Sequence, residues 1–129
     1  MNILNKKNIR KLSISGSNYD STTNFLRRDK FLEIIDLKLK DKPIAGLYNI
    51  VYIKPDNFSK IQEKVGLLKS ENIISQIADE ISLHLHPNDI AGRFEGTVFL
   101  VLLERGNEQD TKTWAEQLSK RIQNNKFFI

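Results

Sequence analysis

The chain has 129 residues and a formal net charge of +4, with 40% hydrophobic and 28% charged residues. This length and composition suit one globular domain with a buried core. The absence of cysteine excludes disulfides and thiolate metal sites, and no apolar run approaches the roughly 18 residues of a membrane-spanning helix. We therefore expect a cytoplasmic domain without direct membrane insertion.

The positive charge is concentrated at the N-terminus. Residues 1–30 carry seven basic and two acidic side chains, whereas the other 99 residues carry 13 basic and 14 acidic ones. A nucleic-acid-binding domain needs a basic face on its folded body, with aromatic side chains among the basic ones. The pattern predicts instead a polar, basic linker arm over residues 1–22 and no nucleic-acid partner. A basic nucleic-acid-binding module is accordingly the least favoured function.

Apolar patterns predict the first helix and the first strand. A helix is expected over residues 27–40, because apolar residues recur there at helical spacing on one face. That face consists of Phe31, Leu32, Ile35 and Leu39. Residues 44–53, IAGLYNIVYI, are rich in β-branched and aromatic side chains, which predicts a central strand of a sheet.

Two helices are predicted in the middle of the chain. The first covers residues 58–65, with Asp56 or Asn57 as its N-cap. Ser70 caps the second, which is expected to end near Leu85. An apolar stripe at a spacing of about 3.6 residues predicts that one face of this second helix is buried. The stripe consists of Ile73, Ile74, Ile77, Ala78, Ile81 and Leu85.

Residues 89–103, DIAGRFEGTVFLVLL, predict a β-hairpin. Two apolar, alternating runs flank a tight turn at Glu95-Gly96. Gly96 can supply the positive φ that such a turn requires. The second run is long enough for a buried strand.

The C-terminal part is predicted to form one more helix and the start of a strand. Asp110 or Thr111 caps a helix that extends to about residue 123. Its inward face consists of Trp114, Ala115, Leu118 and Ile122. Residues 127–129, Phe-Phe-Ile, are typical of the beginning of a strand.

Two of these segments resemble signatures of the GGDEF domain family. R-F-E-G-T-V-F is similar to the R-Y-G-G-D/E-E-F hairpin, and D-S-T-T-N-F-L-R-R-D-K-F-L is similar to D-x-L-T-G-L-x-N-R-x-x-F-L. The resemblance implies a degenerate GGDEF domain over residues 23–129. It implies an α/β (α+β) fold, the palm-like sheet of nucleotidyl cyclases with a central β-hairpin flanked by helices. The family domain continues beyond these elements, so we expect a C-terminally truncated version in which the strand near residues 47–53 has an unpaired edge.

The resemblance also implies that the catalytic signature is altered. Diguanylate cyclases of this family join two GTP molecules with Mg²⁺, an ion that binds carboxylate oxygens. Lys54 and Thr97 stand at the two positions where the family has carboxylate ligands, and Glu95 replaces the first glycine. The degenerate signature reads Glu95, Gly96, Thr97, Val98 and Phe99. We therefore expect no catalytic residue, no metal and no cofactor, and an inactive module. The alternative is an active or residual diguanylate cyclase that uses Mg²⁺ and GTP.

Other family positions are partly retained. Gln62, Glu71 and Asp56 are vestigial candidates for nucleotide binding, although a solvated helix face is the simpler interpretation of the first two. His86 and Asp89 mark a degenerate inhibitory site where the family has R-x-x-D. The resemblance further implies that Lys54 faces Glu95, so we hypothesise an ion pair between them; the alternative is that both side chains are solvated and do not interact.

The resemblance extends to a subgroup of the family. Y-I-K-P-D-N-F together with A-G-R-F-E-G-T-V-F is most similar to degenerate GGDEF domains that precede EAL domains, including those of FimX-type regulators. This implies a regulatory or dimerisation module in a bacterial cyclic di-GMP signalling protein. The expected partners are a second copy of the chain or a neighbouring EAL domain.

Overall fold

The computed structural model describes residues 17–41, 46–94 and 96–124. Within these ranges the chain forms a sheet with helices on both faces. The elements are β1 (Leu26–Arg27), α1 (Arg28–Lys38), β2 (Leu47–Ile53), α2 (Phe58–Val65), α3 (Leu67–Leu83), β3 (Ile90–Phe94), β4 (Val98–Arg105) and α4 (Glu108–Asn124). In the described part, no helix is both long and apolar enough to cross a membrane.

The four strands lie in the order β1-β3-β4-β2. β4 pairs antiparallel with both β3 and β2, and β1 pairs parallel with β3. Among the described residues β2 therefore lies at an edge, and the prediction of a central strand is wrong. The apolar composition of β2 led to this error, because it suggested a strand that is buried on both faces. Ile50 and Tyr52 are instead 53% and 63% exposed. No other described strand pairs with the outer side of β2.

The hydrophobic core occupies both faces of the sheet. Alternate residues of β4 point to opposite faces, with Phe99, Val101 and Leu103 toward α3 and α4, and Leu102 toward α1. The predicted stripe of α3 is buried from Ile73 to Ile81. Leu85 lies beyond the end of the helix and is partly buried against the same core.

Helix α1 is shorter than predicted and packs through fewer residues. Phe31 and Ile35 are buried, whereas Leu32 and Leu39 are exposed, so half of the predicted apolar face is wrong. Phe31 contacts the sheet at Gly92, where an added Cβ would lie 2.7 Å from the Phe31 ring. Helix α1 therefore lies so close to the sheet that residue 92 has no room for a side chain.

The ends of α2 and α3 are set by backbone conformation. Asn57 is the N-cap of α2, with φ of 57° and no side-chain hydrogen bond to the helix. Gly66 both ends α2 and begins α3. The prediction that Ser70 caps α3 is wrong, because Ser70 is buried inside the first turn and donates to the Leu67 carbonyl at 2.8 Å.

Helix α4 also begins earlier than predicted. The Asp110 backbone N–H donates to Asn107 Oδ1 at 2.8 Å. Asn107 is therefore the capping side chain, rather than Asp110 or Thr111. Trp114 and Leu118 are buried as predicted. The strand predicted at residues 127–129 and most of the N-terminal arm lie outside the described residues.

The β3–β4 hairpin forms as predicted, with a longer connection. Phe94 pairs with Val98, so three residues rather than two join the strands. Gly96 has φ of 64°, the left-handed conformation that glycine adopts without strain. Thr97 lies in the turn and not in the strand, while Glu95 lies outside the described residues.

Candidate functional site

A cavity of about 560 Å³ lies between the end of β2, helix α2 and the β3–β4 turn. We call it the hairpin pocket. Its lining consists of Lys54, Pro55, Asn57, Phe58, Ser59, Gln62, Gly96, Thr97 and Val98. The fold thus brings Lys54, Gln62 and Thr97, which are far apart in sequence, to one cavity.

The described groups that line the hairpin pocket do not by themselves form a divalent-cation site. Lys54 is the only charged residue of the described lining, and the polar groups of Thr97, Ser59 and Gln62 are neutral. Mg²⁺ binds hard oxygen ligands and usually takes at least one carboxylate from the protein. No cluster of three or more His, Cys, Asp or Glu suited to a metal ion occurs among the described residues. The described lining residues therefore do not fit the Mg²⁺ that an active member of the family would use.

Glu71 lies away from the pocket in an ion pair with Arg93. Arg93 Nη1 and Nη2 donate to the two Glu71 carboxylate oxygens at 3.2 and 2.9 Å. Thr22 Oγ1 donates to the same carboxylate at 3.0 Å. The hydrogen bonds from Arg93 are the largest influence on the Glu71 pKa and lower it. Both carboxylate oxygens of this candidate nucleotide-binding residue are thus already hydrogen bonded.

Arg93 also joins the N-terminal turn to the hairpin turn. Its Nη1 donates to Asp20 Oδ2 at 3.2 Å, while Nε and Nη2 donate to the Gly96 carbonyl at 2.9 and 2.6 Å. The Asp20 carboxylate also accepts hydrogen bonds from the backbone and hydroxyl of Thr23. Burial alone would lower the Arg93 pKa, but its hydrogen bonds to Glu71 and Asp20 raise it overall. Arg93 therefore connects the turn at residues 20–23 to the β3–β4 turn through hydrogen bonds.

Asp89 forms a buried ion pair with Arg105. Its side chain is 0% exposed, and Arg105 Nη1 and Nη2 donate to its two oxygens at 2.8 and 2.9 Å. The backbone N–H groups of His86 and Glu104 donate to the same carboxylate. His86 thus contributes its backbone to this arrangement. The carboxylate predicted to mark a degenerate inhibitory site is fully engaged within the fold.

Asp56 lies at a different cavity from Gln62. This cavity has a volume of about 260 Å³ and lies between the end of β2 and helix α4. Its walls include Val51, Ile53, Trp114 and Leu118. The three predicted nucleotide-binding residues are consequently divided among three places in the fold.

Sequence reasoning did not identify Arg93 and Arg105 as ion-pair partners. The partners Glu71 and Asp89 are 22 and 16 residues away along the chain, so no local pattern indicates either pair. For Arg93 a signal was present, because it and Asp20 each open one of the two segments that carry the family resemblance. The proposed pair between Lys54 and Glu95 stays a prediction, since Glu95 is outside the described residues.

Comparison with known families gives one assignment for nearly the whole described chain. The family model for "Diguanylate cyclase, GGDEF domain" matches residues 17–129. The chain is 22% identical over 105 residues to the cyclic di-GMP phosphodiesterase NbdA of Pseudomonas aeruginosa, a match that covers 81% of this chain and 13% of that protein. The chain therefore spans about an eighth of the length of this relative.

Solved structures show the same fold. The FimX GGDEF domain of Pseudomonas aeruginosa superposes with a TM-score of 0.80 at 19% identity, covering 88% of this chain and 71% of that one. The GGDEF domain of DgcB from Caulobacter crescentus, solved in complex with c-di-GMP, has a TM-score of 0.74 at 20% identity and covers 82% and 63%. The fold class expected from the sequence is confirmed by these similarities.

Proposed function

Since the chain belongs to the GGDEF domain family, we propose that it is a catalytically inactive regulatory module of a cyclic di-GMP signalling protein. One observation carries this proposal. The hairpin pocket presents the Lys54 amine and the Thr97 hydroxyl, with no carboxylate among its described lining residues. The sequence resemblance implies that an active member of the family binds GTP and metal in this pocket.

The chemistry of phosphoryl transfer supports the proposal. Divalent cations neutralise the charge that develops on the transferred phosphate and position it for attack. An ammonium group repels such a cation, and a neutral hydroxyl is a weak ligand for it. Lys54 can attract a phosphate, but a single flexible amine does not replace an ion that bridges several oxygens.

A direct assay tests the loss of activity. We expect the full-length protein that contains this chain to form no cyclic di-GMP from GTP with either Mg²⁺ or Mn²⁺, measured by chromatography of the nucleotides. A GGDEF protein with intact carboxylates, assayed in parallel, provides the positive control. Turnover by the wild-type protein that disappears in a Lys54→Ala variant would contradict the proposal and favour a residual cyclase.

We propose further that the module acts by contacting a second copy of itself or a neighbouring EAL domain in the bacterial cytoplasm. Two features of β2 support a protein partner. It is an edge strand among the described strands, and an edge strand offers unpaired backbone groups. Two of its large apolar side chains, Ile50 and Tyr52, are more than half exposed. The similarity to the cyclic di-GMP phosphodiesterase NbdA and to the FimX GGDEF domain, both of Pseudomonas aeruginosa, supports a role in bacterial cyclic di-GMP signalling.

Substitution on the β2 edge tests self-association. Sedimentation of the full-length protein is expected to show a weaker dimer for Ile50→Lys than for wild type, because a charged side chain opposes burial of that face. Leu83→Lys, at the exposed end of α3, is the matched control and should sediment as wild type. Identical sedimentation of all three proteins would exclude the β2 edge as the dimer contact.

A further inference from the structure

Arg93 contacts three separate parts of the fold through its guanidinium group. The acceptors are Asp20 in the turn at residues 20–23, Glu71 in α3 and the Gly96 carbonyl in the β3–β4 turn. We propose that Arg93 couples these parts, so that a conformational change at residues 20–23 is transmitted to the β3–β4 turn. Gly96 and Thr97 line the hairpin pocket, so the wall of that pocket responds to a signal that enters through residues 20–23. The inference deepens the proposed regulatory function and rests on it.

The guanidinium group of Arg93 has no spare donor in this arrangement. Its nitrogen atoms make five hydrogen bonds, with distances between 2.6 and 3.2 Å, and an arginine side chain has five N–H groups. These N–H groups are fixed in one rigid plane. The group therefore cannot follow a displaced Asp20 carboxylate without changing its geometry toward the Gly96 carbonyl.

The turn at residues 20–23 is tied to the same group of side chains. The Asp20 carboxylate accepts hydrogen bonds from the Thr23 backbone N–H at 3.0 Å and from the Thr23 hydroxyl at 2.8 Å. Thr22 Oγ1 donates to the Glu71 carboxylate at 3.0 Å. The position of the Asp20 carboxylate thus depends on the conformation of its own turn, and a change in that turn reaches Arg93 directly.

Burial makes this coupling energetically significant. The Arg93 side chain is 11% exposed, and those of Asp20 and Glu71 are 25% and 36% exposed. A buried N–H group that loses its acceptor is not readily compensated by water, so its loss costs more than at an exposed site. When Asp20 moves away, Arg93 reorients to regain an acceptor, and its two hydrogen bonds to the Gly96 carbonyl weaken.

Amide hydrogen exchange in the full-length protein tests the coupling through a double-mutant cycle. Asp20→Ala should accelerate exchange at residues 96–97 about tenfold, the lower end of the effect of losing a hydrogen bond to a charged group. In an Arg93→Ala background the same substitution should change this exchange less than about twofold, because the connection is already lost. Asp20→Asn keeps the size of the side chain but removes its charge, so it should act in the same direction as Asp20→Ala and more weakly.

Ser17→Ala is the matched control for these variants. Ser17 Oγ accepts a hydrogen bond from the Tyr19 backbone N–H at 3.1 Å, and none of the five hydrogen bonds of Arg93 involves Ser17. This substitution perturbs the same segment without touching Arg93, so exchange at residues 96–97 should change less than about twofold.

Three results would overturn the inference. They are unchanged exchange at residues 96–97 in Asp20→Ala, an equal effect of Asp20→Ala with and without Arg93, and the same acceleration at Leu118, a buried residue of α4. The last result would show that the whole fold is weakened rather than this connection. Formation of cyclic di-GMP from GTP by the wild-type protein would overturn the inactive assignment but not the coupling, so the two failures are distinguishable.

Discussion

Replacing Asp89 by alanine is expected to destabilise the protein by about 3–5 kcal/mol, the usual cost of leaving one partner of a buried ion pair without its counter-charge. The Asp89 side chain is fully buried, and that of Arg105 is 7% exposed. The substitution removes the acceptor of both guanidinium hydrogen bonds and of two backbone N–H groups. Denaturant unfolding of the full-length protein measures the loss.

An exposed ion pair provides the control for this substitution. Asp36 lies 4.0 Å from Lys40 on the surface of α1, and both side chains are largely exposed. Asp36→Ala should therefore change stability by no more than about 0.5 kcal/mol. A loss of less than about 1 kcal/mol for Asp89→Ala, below the range for buried pairs, would show that the Asp89–Arg105 pair contributes little to the fold.

The same pair predicts sensitivity to acid. Burial alone would raise the Asp89 pKa, but hydrogen bonds from Arg105, His86 and Glu104 lower it overall from its ordinary value of 3.8. The pKa values of Asp20 and Glu71 are lowered as well. A carboxyl with a lower pKa in the folded state stabilises the fold at pH above the unfolded pKa, and this contribution is lost as pH falls through the folded pKa. The free energy of unfolding of the wild-type protein should thus decrease below about pH 4. The decrease over the same pH range should be smaller for Asp89→Ala.

Replacing Arg93 by alanine is expected to cost about 2–3 kcal/mol, somewhat less than for a fully buried pair, because its acidic partners remain partly exposed to water. The Arg93 side chain is 11% exposed, whereas those of Asp20 and Glu71 are 25% and 36% exposed. The substitution also removes the donors to the Gly96 carbonyl. We therefore expect faster hydrogen exchange in the turn at residues 96–97 in addition to the loss of stability.

Two variants make the Arg93 prediction specific. Arg93→Lys keeps the charge but not the planar fork that serves three acceptors, so it should restore less than half of the lost stability. Arg28→Ala removes an exposed guanidinium that lies 5.7 Å from the Phe94 ring and should cost only about 0.5–1 kcal/mol. If Arg93→Ala leaves hydrogen exchange at residues 96–97 unchanged, the hydrogen bonds of Arg93 do not hold the β3–β4 turn in place.

The sequence predicted local elements well where local chemistry determines them. Helix α2 has the predicted bounds, because Gly66 ends it, and the buried stripe of α3 follows from its periodic isoleucines. The prediction that β2 is a central strand was wrong, because the order of strands depends on pairing between segments far apart in sequence, here β2 and β4. The prediction of Ser70 as the cap was wrong because Gly66, four residues earlier, is the N-cap of α3.

The site was predicted in part for the same reason. Lys54, Gln62 and Thr97 line one pocket, as the family resemblance implied from their places in two motifs. Glu71 and Asp89 were expected near ligand sites, but each is bound by an arginine from a distant part of the chain. Sequence spacing does not reveal which cation a carboxylate will meet in the folded protein.

The most direct test of this account is Mn²⁺ binding measured by electron paramagnetic resonance. Because the hairpin pocket has an amine and a hydroxyl where a metal site needs acids, the wild-type protein should show no Mn²⁺ site that GTP or Lys54→Ala perturbs. The double variant Lys54→Asp, Thr97→Asp should gain one such site per chain, since two carboxylates then face the cavity. A stoichiometric Mn²⁺ site at the pocket of the wild-type protein would contradict the account.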